Sequence, residues 1–243
     1  MITNVRYGKP CSYDYEILLD HFSGLNTNSI RTSTIPLVQF WKDTNQRTKQ
    51  LLDALKESTN SVTLCFEYPT VSPKGHGKAS MTDLMVICGN SKIAIEAKFT
   101  EYLPENGHPE NIEGWLQKGT SDNRQQVLEG WTSLIEPFSQ GINPQLQHSL
   151  DYQFYHRTAS ACAGSEKAAV VYLLFYEKEN EEAMTAYTNR LKAMVEVINP
   201  KRTLSFHVWQ VEVTSIREVE DTAFTAMKKE PVYRFGAERL VKL

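Results

Sequence analysis

Residues 80–99 read SMTDLMVICGNSKIAIEAKF, and the reading of this stretch decides the fold. Its two halves, Ser80–Cys88 and residues 92–99, are short, β-branched and partly alternating, as strands are. Only Gly89 and Asn90 separate Cys88 from Ser91. Gly-Asn is a favoured two-residue hairpin turn, because glycine accepts the positive φ needed at the first loop position. The turn fixes a register in which Cys88 faces Ser91, Val86 faces Ile93, Leu84 faces Ile95 and Asp83 faces Glu96. Strand alternation then sorts the side chains. One face carries Leu84, Val86, Cys88, Ile93, Ile95 and Ala97. The other carries Asp83, Met85, Ile87, Lys92, Ala94, Glu96 and Lys98.

Outward from the hairpin, residues 62–68 (VTLCFEY) read as the strand before it. Helical spacing covers residues 36–57, with Ser33 or Thr34 as the cap, and residues 13–22, which stop at Gly24. Residues 101–123 are rich in proline, glycine and charge and read as a long loop with one helical turn at Ile112–Gln117. Helices are expected over residues 122–139 and 145–163. The continuous apolar run Lys167–Tyr176 suits a strand buried on both faces. A helix over Glu181–Ile198 and a strand over residues 203–213 complete the order. Three consecutive strands predict an antiparallel meander, and helices ahead of a later buried strand predict crossovers to parallel neighbours. The expected fold class is α/β, a mixed central sheet flanked by helices. It forms one domain over residues 1–243 with a core at about 36–176.

Composition bounds the function. The chain has 243 residues, 41% hydrophobic and 23% charged, with a net charge of −3. That balance argues against nucleic-acid binding driven by a polycationic tail. It is compatible with an enzyme that gathers basic groups in one cleft. Cys11, Cys65, Cys88 and Cys162 form no CxxC knuckle and read as free thiols of a reducing compartment. Neither a signal-peptide core nor a run of about 18 apolar residues is present, so a cytoplasmic protein without membrane contact is expected.

The polar face of the hairpin carries the chemistry. Asp83 and Glu96 stand cross-strand on one face, with Lys98 two residues beyond Glu96. Like charges so placed repel unless something lies between them. A divalent cation suits that place, since Mg²⁺ takes one or two carboxylates plus waters and substrate phosphate oxygens. The alternative is a salt-bridged surface hairpin in which Lys98 and Lys92 offset the two acids.

Thr82-Asp83, twelve intervening residues and Glu96-Ala97-Lys98 resemble the signature of the PD-(D/E)XK phosphodiesterase superfamily, which includes type II restriction enzymes, resolvases and repair nucleases. Thr82 stands where that pattern has proline. The resemblance implies a restriction-endonuclease-like α-β-β-β-α-β core and hydrolysis of DNA phosphodiester bonds with Mg²⁺ or Mn²⁺. It implies Asp83, Glu96 and the Ala97 carbonyl as metal ligands and Lys98 as the group acting on the nucleophile or transition state. An extra acid from an earlier element also occurs in relatives, and Glu67 is the best-placed one here; it reads equally as a solvated strand-end glutamate. A polar residue from the following helix often returns to the site, and Gln125 and Gln126 are the candidates, with plain surface positions as the alternative.

Lys74, His76 and Lys78, in the loop between the first two strands, read either as a flexible basic arm for phosphates or as a solvated hairpin loop. Tyr152 and His156, one helical turn apart on one face, could bind substrate or pack on the sheet, and packing is the preferred reading. A non-catalytic nucleic-acid- or protein-binding relative of the same fold is the competing function. Cutting both strands of DNA would favour a homodimer.

Overall fold

A computed structural model describes residues 2–8, 18–19, 21–22, 31–58, 60–107, 109–118, 121–216 and 231–243. Seven strands form one mixed sheet in chain order: β1 (Ile2–Tyr7), β2 (Val62–Thr70), β3 (Ser80–Cys88), β4 (Ser91–Lys98), β5 (Lys167–Tyr176), β6 (Leu204–Ser215) and β7 (Tyr233–Lys242). The meander β2–β3–β4 is antiparallel, and β4, β5 and β6 are parallel. The expected hairpin register holds from Cys88–Ser91 to Leu84–Ile95. Gly89 has φ +56° while Asn90 keeps a negative φ, the pattern of a type II′ turn.

Among the described residues the helices with full bounds are α1 (Thr34–Phe40), α2 (Thr44–Leu55), α3 (Ile112–Gln117), α4 (Ser121–Ile135), α5 (Pro144–Gln147), α6 (Tyr152–Cys162) and α7 (Glu181–Ile198). They cover both sheet faces. Phe40 of α1, Trp41 at its C-cap, and Leu51 and Leu52 of α2 pack in one core with Leu84, Val86, Ile93, Ile95 and Ala97. Trp131, Phe154, Tyr155 and Leu191 of α4, α6 and α7 pack in the other with Met85, Ala94, Val170 and Tyr172. The hairpin's two predicted faces are thus the walls of two cores.

Several boundaries differ from expectation. Residues 36–57 form two helices, because the Asp43 side chain accepts the Gln46 N–H and caps a new one. Residues 145–163 likewise divide into α5 and α6. The Ser121–Ile135 helix ends in a 3-10 turn at Glu136–Phe138, where Pro137 cannot continue the ladder. Strands β1 and β7 add two edges that the sequence reading lacked. β7 (YRFGAERLVK) is a charged edge strand, whose composition blunts further pairing. Of the helix expected at residues 13–22, positions 13–17 and 20 lie outside the described residues, while Leu18, Leu19 and Phe22 join the first core. Cys65, Cys88 and Cys162 are buried free thiols, and Cys11 lies outside the described residues. No helix of the described chain is long and apolar enough to cross a membrane.

Candidate active site

The β3–β4 ladder opens beyond Leu84–Ile95. At the next position the Asp83 side chain replaces backbone pairing, its Oδ2 accepting the Ala97 N–H at 2.7 Å. The expected Asp83–Glu96 pair is therefore not a ladder pair; the aspartate closes the fork of the hairpin with its carboxylate. On its other side β4 stays in the sheet, with Glu96, Ala97 and Lys98 in register with Tyr172, Leu173 and Leu174 of β5. This holds Glu96 in the middle of the sheet at 1% exposure.

A carboxylate so buried needs partners, and Glu96 has three. Its Oε1 accepts from Lys98 Nζ at 3.0 Å and from Gln153 Nε2 at 2.6 Å. Its Oε2 accepts from Arg157 Nε at 2.5 Å. Arg157 is itself 2% exposed and is anchored by donating to Thr82 Oγ1 and to the Met81 carbonyl, both at 2.6 Å. One guanidinium therefore clamps β3 to β4 from helix α6.

The electrostatics separate the two acids. Burial alone would raise Glu96, but the Arg157 and Lys98 cations outweigh it and hold the carboxyl below its usual range. Burial and then the Glu96 charge push Asp83 up to about 8, against the pull of Arg157, Lys98 and the Ala97 N–H. Burial would lower Lys98, yet Glu96 and Asp83 keep it firmly protonated. Burial and the neighbouring Arg157 charge lower His156 to about 3, so its imidazole is neutral.

Glu67 belongs to this cluster. It sits within β2 at φ +49°, a left-handed conformation unusual for a non-glycine residue. Burial raises its carboxyl, Arg157 lowers it and Glu96 raises it further, which places it within electrostatic reach of both. The left-handed residue also breaks the alternation. Tyr68, expected on the face of Val62 and Phe66, packs instead with the core of Cys65 and Met85.

Other expected site residues fall differently. Ala97 points into the first core as alternation requires, and its N–H, not its carbonyl, is the group that meets Asp83. Gln125 and Gln126 are exposed on α4; this helix turns Val127 and Leu128 inward, which leaves its glutamines in solvent. The glutamine that reaches Glu96 is Gln153, one helix later. Neither Gln153 nor the role of Arg157 was read from the sequence, because a single Gln or Arg on an amphipathic helix carries no periodic signal. Lys92 lies at the other end of the hairpin, bonded to the Ala163 carbonyl, and does not offset the acids.

The loop bearing Lys74, His76 and Lys78 is neither free arm nor solvated turn. It is seated on α4. Asn123 accepts from the His76 N–H and donates to the His76 carbonyl, and Ser72 donates to the Val127 carbonyl. Gly75 has φ +70°, and a Cβ there would stand 2.7 Å from Val127. On the facing helix, a Cβ on Gly130 would lie 2.0 Å from Ser72 Oγ. Close seating thus depends on both glycines. All three basic side chains remain exposed.

Whether these residues suit a divalent cation turns on charge and donors. Three carboxyl groups, Glu67, Asp83 and Glu96, lie with two cations, Lys98 and Arg157, and it is burial first, then the Glu96 charge, that raises Asp83. Mg²⁺ takes one or two carboxylates besides water and phosphate; Asp83 and Glu96 supply that number, with Asp83 Oδ2 and both Glu96 oxygens already accepting hydrogen bonds within the protein. No group of three or more His, Cys, Asp or Glu that could hold a metal ion occurs among the described residues.

No curated protein and no solved structure matches the chain. A family profile does match, over residues 20–217, which take in every residue of this cluster. The chain belongs to the DUF6946 family, a domain of unknown function.

Proposed function

We propose that this protein is a divalent-metal-dependent deoxyribonuclease with a restriction-endonuclease-like core of the PD-(D/E)XK kind. The observation that carries the reading is the convergence of Asp83, Glu96 and Lys98 where the hairpin opens, with one acid held ionised and the other raised. Asp83 and Glu96 would hold Mg²⁺ or Mn²⁺, with the Ala97 carbonyl as a further ligand. The cation would polarise the phosphoryl group and make a water more acidic.

The chain's own residues supply the rest. Arg157 and Lys98 keep Glu96 ionised, and with the Gln153 amide they fix its rotamer. Lys98, protonated and buried beside both acids, is placed to offset charge developing on phosphoryl oxygens. Glu67 adds negative charge that favours a cation over an empty site. Lys74, His76 and Lys78 stand at the surface, where they would meet the phosphodiester backbone.

A second reading, a non-catalytic DNA- or protein-binding member of the fold, draws on one observation. Glu96 already receives three donors within the protein, a saturation that competes with a metal. Plasmid cleavage with Mg²⁺ or Mn²⁺, set against the Asp83→Ala variant, separates the two. Metal-dependent cleavage lost in the variant supports the nuclease. Retained DNA binding with no cleavage by the wild type supports the second reading, and equal cleavage by both proteins overturns the assigned site.

A further inference from the structure

Beside the acidic cluster lies a cavity of about 500 Å³ between the Ser72–Ser80 loop and helices α3, α4 and α6. Its size falls in the range of small-molecule and nucleotide sites. Its lining is divided by chemistry. Lys74, His76, Lys78 and Arg124 supply the basic groups. The other wall is a row of rings: Trp115 is stacked on Tyr152 at 3.9 Å, Tyr152 meets His156 edge-on at 4.9 Å, and His156 lies 6.2 Å from Trp131. Arg124 lies over Trp115, 4.9 Å from the ring centre.

The floor is polar and uncharged. His156 Nδ1 is 2.8 Å from Ser80 Oγ. Burial and the Arg157 charge keep the imidazole neutral, so it presents a heteroaromatic edge and no charge. Val71 and Met81, at the ends of the two strands that frame the loop, are 62% and 40% exposed. Exposed apolar residues of this kind at a nucleic-acid surface act as wedges between bases.

We infer that this cavity receives one nucleobase turned out of a DNA strand, with its flanking phosphates on Lys74, Lys78 and Arg124. A phosphate-only site would place its cations in the depth, whereas here they accompany an aromatic and neutral interior. A flat heteroaromatic ring matches the row of rings, and its polar edge matches His156 and Ser80. Extrusion needs displacement of the base from its stack, for which Val71 and Met81 stand ready. Arg157 bonds the carbonyl of Met81 and the carboxylate of Glu96, so the strand end that frames the cavity and the acidic cluster share one rigid link. A base held in the cavity therefore positions its phosphodiester relative to Asp83 and Glu96.

The inference rests on the nuclease reading for its substrate class, and its test needs no catalysis. Binding is measured in EDTA, by anisotropy, for a single-stranded oligodeoxynucleotide of about 12 nucleotides and for the same strand with abasic sites throughout. The wild type is expected to prefer the strand with bases by roughly 10-fold, the scale of one lost stacking partner. Trp115→Ala, or Tyr152→Leu where the first variant does not fold, is expected to abolish that preference and leave abasic-strand affinity within about 2-fold. Lys78→Ala is expected to weaken both strands alike, by the loss of one phosphate contact. Equal wild-type affinity for the two strands overturns the inference, as does a base preference that survives both ring substitutions. Base-dependent binding by a protein that never cleaves DNA would leave the cavity assigned and the nuclease reading refuted.

Discussion

Replacing Arg157 by Met removes one of the two cations that hold Glu96. The methionine fills much of the arginine stem's volume, so the change is mainly electrostatic. It strands a carboxylate that is 1% exposed and leaves Thr82 Oγ1 and the Met81 carbonyl without their donor. Breaking a buried pair from one side costs about 3–5 kcal/mol. Lys98 and Gln153 still reach Glu96 Oε1, which argues for the lower half of that range. At about 2–4 °C per kcal/mol for a chain of this size, Tm should fall by roughly 10 °C. Urea denaturation gives the free energy, and the double variant Arg157→Met/Glu96→Gln supplies the control. With the stranded charge removed, it should recover at least half of the loss, a coupling that only neighbouring groups show. Mg²⁺ should stabilise Arg157→Met more than the wild type, because Glu96 then lacks its competing cation. A loss under about 1 kcal/mol, or a double variant no better than the single, would refute the clamp assigned to Arg157.

Four further outcomes follow from the same geometry. Lys98→Ala should abolish most single-turnover cleavage while DNA affinity changes little, since a transition-state contact registers in the rate; equal rates would reduce Lys98 to a counter-ion. Lys74→Ala/Lys78→Ala should do the opposite, lowering affinity and reducing the salt slope by about 2 with the chemical step intact; an unchanged slope would take the loop out of the interface. Asp83 has a folded-state pKa above its unfolded value of about 3.9, so its contribution favours folding at low pH and is lost as pH rises toward about 8. Asp83→Asn should therefore raise Tm at pH 8 and leave it nearly unchanged at pH 4; a variant equally shifted at both pH values would contradict the raised carboxyl. For the same reason Mg²⁺ binding at pH 7 should release a proton from Asp83, read by calorimetry in buffers of different ionisation enthalpy. Buffer-independent heats would mean that Asp83 is not the group the metal displaces a proton from.

Much of this protein is set locally. The hairpin's Gly-Asn turn, its register and the sorting of Leu84, Val86, Ile93 and Ile95 from Met85 and Ala94 follow from a period of two residues and one permissive glycine. Local pattern brings Asp83, Glu96 and Lys98 to one end of the hairpin, but the ladder stops at Leu84–Ile95, and beyond it Asp83 meets the Ala97 N–H through its side chain. The tertiary structure decided what those residues meet. Arg157 and Gln153 stand some sixty positions beyond Glu96 in sequence, and only the packing of α6 on the sheet brings them to it. The same holds for the basic loop, which local composition leaves as a flexible arm and which Gly75 and Gly130 let settle on α4. Edge strands β1 and β7 were equally invisible, since an edge strand is defined by the neighbour it pairs with. Sequence determined the short-range geometry, where steric rules act over a few residues. Burial, desolvation and the partner of each buried charge are properties of surfaces distant in the chain, and only the assembled fold decides them.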